Sequence, residues 1–353
     1  MRTFNKVGLA LVATTALGLF TSGPALAGVT LNPFTNPHPT VSGGTIGFAY
    51  AGDKFVGSVQ GDGTGLLYST DLTGGNVQVF APTISLAGGT VASEHFISSS
   101  LGLGGFANRD LYVAAGPDGI LHISHDGTTS DTFVTGLSGA VRGISFDSIG
   151  TFNFDMLVTT NSGDVYQVDH LGNKTLLASL GADTEGLDVA PLGTFGPYAG
   201  QLITASEGNG LLHAISNTKV VTTLNPNTPV GGIEELTFVP LNLGMSGNPV
   251  EGFYGSRYTQ DVIKGDASQF TPYIGDIVVT NENNGSIYDV KWDGTSAVFS
   301  TIGNFNGQPE DGIFVTQAII QGNNPPVPEA GSFALMAAGL LPLLGAGLRR
   351  RRN

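Results

Sequence analysis

Apolar residues along this chain fall into short runs, not long helical stripes. Five runs share one form: KFVGSVQ, DLYVAAG, DMLVTTN, QLITASE and DIVVTNE. Each leads into a Gly/Asn/Asp-rich turn (GDGTG, PDG, NSG, GNG or NNG). Such residues accept positive φ cheaply, so each turn reads as a hairpin. A second run then starts at Gly65, Gly119, Gly163, Gly210 or Gly285, with a ring three residues on: Tyr68, His122, Tyr166, His213 or Tyr288. A third run follows (NVQVFA, DTFVTG, KTLLAS, KVVTTL, AVFSTI), and then a fourth (EHFISSS, VRGISFD, EGLDVAP, EELTFVP, EDGIFVT).

The repeating unit is therefore four short antiparallel strands. Its starting glycines stand 54, 44, 47 and 75 residues apart. Four-stranded units at this period, with no helical pattern between them, predict an all-β fold, a β-propeller. The direct count is five blades. TIGFAY at 45–50 and EDGIFV at 310–315 both read as innermost strands, so the two ends share a blade. Six blades result if the insertion at 241–275 holds further strands. A repeated ring at one strand position reads as packing between blades, which makes His122 and His213 structural residues.

The ends of the chain read differently. Residues 1–27 carry Arg2 and Lys6, an apolar stretch and a small-x-small ALA at 25–27, which is the form of a secretory signal helix. The exported domain is then 28–322, followed by a Pro-rich spacer at 323–330. Residues 331–348 carry no charge. As a helix they would be about 27 Å long, enough to span a hydrocarbon core. The cluster Arg349, Arg350, Arg351 and Arg352 (in 349–353) would stay cytoplasmic.

This tail resembles the PEP-CTERM sorting signal of Gram-negative exported proteins. Pro328 and Glu329 match its motif, with Val327 before them; Ala330 stands where the family has a second proline. The resemblance implies processing by an exosortase, a membrane-embedded protease. Release to the cell surface or matrix follows, with an exopolysaccharide or surface protein as partner. Without cleavage, the protein stays membrane-anchored.

Composition narrows the function classes. Between residues 28 and 327 stand 8 basic and 27 acidic side chains, and the chain has no cysteine. Such a surface repels phosphate backbones, which excludes nucleic acid as a partner. Thiol catalysis, thiolate metal sites and disulfides are also excluded. No EF-hand spacing, G-x-S-x-G elbow or H-E-x-x-H occurs.

What remains is the opening of each innermost strand: Glu94 with His95, Arg142, Glu185, Glu234 with Glu235, and Glu310 with Asp311. Carboxylates around a channel are hard oxygen ligands suited to Ca²⁺ or another divalent cation. Arg142 can pair with one of them or orient an anionic ligand. EGLD at 185–188 and EDGI at 310–313 resemble the Glu-Gly pattern of gluconolactonase-like propellers, and that resemblance implies a metal-ligand role for the glutamate. FYGSRY in the insertion reads as a loop that offers Tyr254, Arg257 and Tyr258 to a sugar or peptide. Two functions follow as expectations: a surface binding or structural module, or a metal-dependent hydrolase or lactonase.

Overall fold

The computed structural model describes residues 28–322 apart from 39, 62 and 87–93. The signal helix, the sorting motif at Val327, Pro328 and Glu329, the apolar helix at 331–348 and the arginine cluster lie outside the described residues. Among the described residues, no helix is long and apolar enough to cross a membrane.

The chain opens with β1 (Asn32–Thr35). Blade 1 is β2 (Thr45–Tyr50), β3 (Phe55–Val59), β4 (Leu67–Thr70) and β5 (Gln78–Phe80). Blade 2 is β6 (Ile97–Ser99), β7 (Leu111–Ala115), β8 (Gly119–Ile123) and β9 (Ser130–Val134). Blade 3 is β10 (Val141–Phe146), β11 (Met156–Thr160), β12 (Asp164–Val168) and β13 (Lys174–Ser179). Blade 4 is β14 (Leu187–Val189), β15 (Leu202–Ser206), β16 (Leu211–Ile215) and β17 (Val221–Thr223). Next come β18 (Ile233–Phe238), β19 (Gly252–Arg257), β20 (Val262–Asp266), β21 (Ile277–Asn281), β22 (Ser286–Trp292), β23 (Ala297–Asn304) and β24 (Pro309–Val315). Blade 5 takes β18, β21, β22 and β23.

The blade count is six, which corrects the direct count of five. The sixth sheet has the order β24-β19-β20-β1, antiparallel throughout. Its strands come from three separate stretches: the last strand, the insertion, and the first strand. FYGSR of this stretch is accordingly not a loop but part of β19, the second strand of this blade, and Tyr258 begins the turn that follows. β1 is the outer edge, and Pro33, which has no N–H to offer a further strand, sits within it. The innermost strands β2, β6, β10, β14, β18 and β24 contact one another in that order and return to β2, closing the ring.

Six hydrophobic clusters separate the blades, one at each junction. Neighbouring residues of one strand serve different clusters. Leu157 packs toward blade 4 and Val158 toward blade 2; Leu202 packs toward blade 3 and Ile203 toward blade 5. A strand covered on both faces needs apolar residues without alternation, which is why these segments read as continuous apolar runs.

Inner strands approach so closely that a side chain is excluded at some positions. A Cβ on Gly143 would lie 2.4 Å from the Glu185 carbonyl oxygen, and one on Gly186 2.4 Å from the Leu236 nitrogen. Polar side chains tie the same strands together: Thr159 Oγ1 donates to the Glu185 carbonyl at 2.8 Å, and Asp188 Oδ2 accepts from Phe238 N at 2.8 Å. Gly186→Ala should therefore cost about 1–3 kcal/mol by overpacking. Thermal unfolding reads this as a fall of several degrees, and an unchanged midpoint would refute the tight blade 4–blade 5 contact.

Candidate functional site

The first residues of the inner strands gather at one mouth of the channel. Arg142 lies on β10, Glu234 on β18 and Glu310 on β24, while Glu94 and Glu185 stand just before β6 and β14. The β13–β14 connection adds Asp183. The β15–β16 turn adds Glu207, and the β21–β22 turn adds Glu282. Arg142 is the cation of this mouth. It pairs with Glu94, and its Nε lies 3.5 Å from Asp183 and 3.4 Å from Glu185.

The remaining carboxylates have no such partner. Among the described residues, no Lys, Arg or His forms an ion pair with Glu207, Glu234, Glu282 or Glu310. Gln308 Nε2 donates to Glu310 Oε1 at 3.0 Å and to Glu282 Oε2 at 3.3 Å. One ligand oxygen each from Asp183, Glu185 and Glu207 lie within 4.8 Å of one another, and the same holds for Glu207, Glu234 and Glu282. Glu185 and Glu234 are buried, and Glu185 Oε2 accepts no hydrogen bond.

Burial and mutual repulsion hold these groups toward their protonated forms. Burial pushes the Glu185 carboxyl up despite the nearby Arg142. Burial and the facing Glu185 carboxyl push Glu234 well up. Burial and the Glu282 carboxyl push Glu207 up to about 7. Burial and Glu185 push Glu310 up to about 9. The donors are all carboxylate oxygens, a set that fits a hard cation and not a soft one.

The other residues singled out in the sequence lie elsewhere. The His95 ring is held between the carbonyls of Ala114 and Gly61, so it does not join Glu94 at the mouth. Asp311 spends its oxygens on the backbone N–H of Phe48 and Gly312, at 2.8 Å each, and so fastens blade 6 to blade 1. Glu235 lines a cavity of about 240 Å³ further along the channel, with Asp188, Asp311 and Arg109. Neither Glu235 nor Asp311 belongs to the two carboxylate triads.

The insertion residues are not an exposed ligand platform. Tyr254 is fully buried between blades 6 and 1, and its hydroxyl donates to the Val250 carbonyl at 2.7 Å. It packs inward because β19 is a central strand of its blade. Arg257 forms a two-pronged pair with Asp261 at 2.7 and 2.8 Å, and the Tyr258 hydroxyl bonds Gln60. The repeated rings behave as packing residues where they are Tyr68, Tyr166 and His213. His122 differs: it sits between Asp110 and Asp131, at 2.8 and 2.7 Å.

No protein-family model matches this chain, and no curated protein does. Solved structures do match. A chain of a nidogen–laminin complex aligns at 13% identity over 76% of this chain and 83% of that one, with a TM-score of 0.49. A gluconolactonase-like protein aligns at 8% identity over 81% and 84%, also at 0.49. At these identities and scores the neighbours assign no ligand and no reaction. The six-blade architecture rests on the strand pairing itself.

Sequence reasoning missed Asp183, Glu207, Glu282 and Gln308. A signal for two of them is present: Glu207 and Glu282 each stand three residues before the hairpin glycine, Gly210 and Gly285, in blades 4 and 5. They were hidden because their Gly- and Asn-rich surroundings already account for a turn.

Proposed function

We propose that this chain is an exported surface or matrix propeller that serves as a binding module and holds a divalent cation, Ca²⁺ by its oxygen chemistry, at the carboxylate mouth. The observation that carries the reading is the imbalance at that mouth. Among the described residues, Glu94, Asp183, Glu185, Glu207, Glu234, Glu282 and Glu310 gather there with one guanidinium, that of Arg142, which pairs with the first three alone. Buried carboxylates in contact must take up protons or a cation. A cation held this way keeps coordination positions for an anionic or polyhydroxyl ligand, such as an acidic surface polysaccharide. The export signal and the PEP-CTERM-like tail support a location at the cell surface or in the matrix, reached through exosortase processing.

The test is calorimetric titration of CaCl₂ into chelator-treated, purified full-length protein at pH 8. The expected dissociation constant is on the order of micromolar. Binding of an acidic polysaccharide should then require Ca²⁺ and disappear with EDTA. No detectable uptake of Ca²⁺, Mg²⁺ or Mn²⁺ would end the reading.

A second reading, hydrolysis of a small ester or lactone, draws on Glu310. Without a cation its carboxyl is pushed up to about 9 by burial and Glu185, and its place among the carboxylates of the mouth lets it pass a proton to a leaving oxygen. Turnover of a lactone panel that Glu310→Gln abolishes without loss of Ca²⁺ would favour it. Absence of turnover leaves the binding module.

A further inference from the structure

We infer that the mouth holds two divalent cations, not one, with Glu207 as the carboxylate that bridges them. This rests on the cation-binding reading above and adds the number and arrangement of the ions.

The two triads share one member. Asp183, Glu185 and Glu207 bring ligand oxygens within 4.8 Å of one another, and Glu207, Glu234 and Glu282 do the same. Asp183 and Glu185 come from the chain leading into β14, whereas Glu234 and Glu282 come from blade 5. Glu207, in the turn between β15 and β16, has ligand oxygens within reach of both pairs. A carboxylate has two oxygens, so one glutamate can serve both positions, and ions sharing such a ligand sit about 3.5–4 Å apart.

Charge gives the same count. Among the described residues, the only basic side chain paired with any of the five triad carboxylates is Arg142, which meets Asp183 and Glu185 and is also engaged by Glu94. Once all five are ionised, one dication leaves most of that negative charge uncompensated; two bring four positive charges against five carboxylates, of which Glu185 and Glu234 are buried. The buried groups are poised for this. The Glu185 side chain is 4% exposed; one of its oxygens belongs to the first triad, Oε2 is buried without a hydrogen bond from the backbone or from a basic or amide side chain, and the one side chain that bonds its carboxyl is another acid, Glu234. Glu234, 5% exposed, faces Glu185 and not a cation. In a two-ion centre each lies in a different coordination sphere, and the repulsion between them becomes attraction to the metals.

The test counts ions on purified full-length protein by Ca²⁺ titration and native mass spectrometry, with three isosteric variants. Wild type should take two Ca²⁺ per chain. Glu282→Gln and Asp183→Asn should each retain one, while Glu207→Gln should weaken both by at least about tenfold. Mn²⁺-loaded wild type should give the exchange-coupled paramagnetic resonance signal of neighbouring ions, and Mn²⁺-loaded Glu282→Gln the signal of an isolated ion. One Ca²⁺ per wild-type chain overturns the two-ion inference and leaves the cation reading standing. Two ions without spin coupling, or a Glu207→Gln protein that still binds one ion at wild-type affinity, overturns the bridge. No ion at all overturns both.

Discussion

Metal-free protein should lose stability as the pH rises from 5 to 9, and saturating Ca²⁺ should offset part of that loss. The carboxyls of Glu207 and Glu310 are ordinary in the unfolded chain, near 4.5, and are pushed up to about 7 and about 9 in the folded one. Across that interval the folded protein binds more protons than the unfolded protein, so stability falls with rising pH. The contribution is fully present below about 4.5 and gone above about 9. Glu310 is almost fully buried, so its shift alone is on the order of several kcal/mol at about 1.4 per pH unit. Glu207 is half-exposed and adds less. Carboxylates with the opposite shift, such as Asp126, held down at about 2 by Ser124 and Thr128, act only below that window. The expected result is a fall in thermal midpoint of at least about 5 °C between pH 5 and 9, at about 2–4 °C per kcal/mol. Ca²⁺ at a hundred times its dissociation constant restores about 2.7 kcal/mol at the upper end. A metal-free midpoint that rises over the same range would contradict the buried, protonated cluster.

Deleting residues 28–36 should destabilise the whole ring, although it removes only one short edge strand. β1 pairs Asn32 with Lys264, Pro33 with Ile263 and Thr35 with Val262. The Phe34 ring meets Tyr254 at 4.9 Å, Phe55 at 5.4 Å and Phe48 at 6.3 Å, so it joins blade 6 to blade 1. Val29 belongs to the cluster between blades 5 and 6, and its N–H donates to the Ile302 carbonyl at 2.6 Å. Loss of a packed aromatic with its neighbours costs about 3–5 kcal/mol. The midpoint should fall by about 10 °C. Deletion also bares the β20 edge, so association should increase with concentration in light scattering or sedimentation. Pro33→Ala, which keeps the strand, should be nearly silent. A deletion variant that melts with wild type would mean the ring does not depend on this closure.

Most of the fold was legible because it repeats. Five blades run continuously or nearly so in sequence, and their glycine-led hairpins can be laid over one another. The sixth has no contiguous copy to find. Its inner strand reads as a remnant at 310–315, its middle strands lie inside an insertion, and its outer strand precedes the first repeat. Tyr254 misleads for the same reason: outside a recognised repeat, an aromatic beside an arginine reads as an exposed platform. Inside β19 it is core.

The mouth was half legible. Glu185, Glu234 and Glu310 show themselves because inner strands open with charge at matching positions. Glu207 and Glu282 come from hairpin turns, and only closure of the ring brings those turns over the inner strands. Asp183 and Gln308 have no counterpart in other blades at all.

The three-part sixth blade also sets a timetable. Thr30 and Gln269, which bond each other across it, are 239 residues apart. Made from the amino end, β1 waits for β20, and the β19–β20 hairpin waits for β24 to cover its inner edge. Blades 1 to 4 can form as they are made, but the ring remains an open arc, with apolar faces bare at both ends, until the last strand arrives. Contacts this distant in sequence make closure slow. A chain of this design is most vulnerable to capture by proteases or by its own copies in the interval between making Phe34 and making Val315.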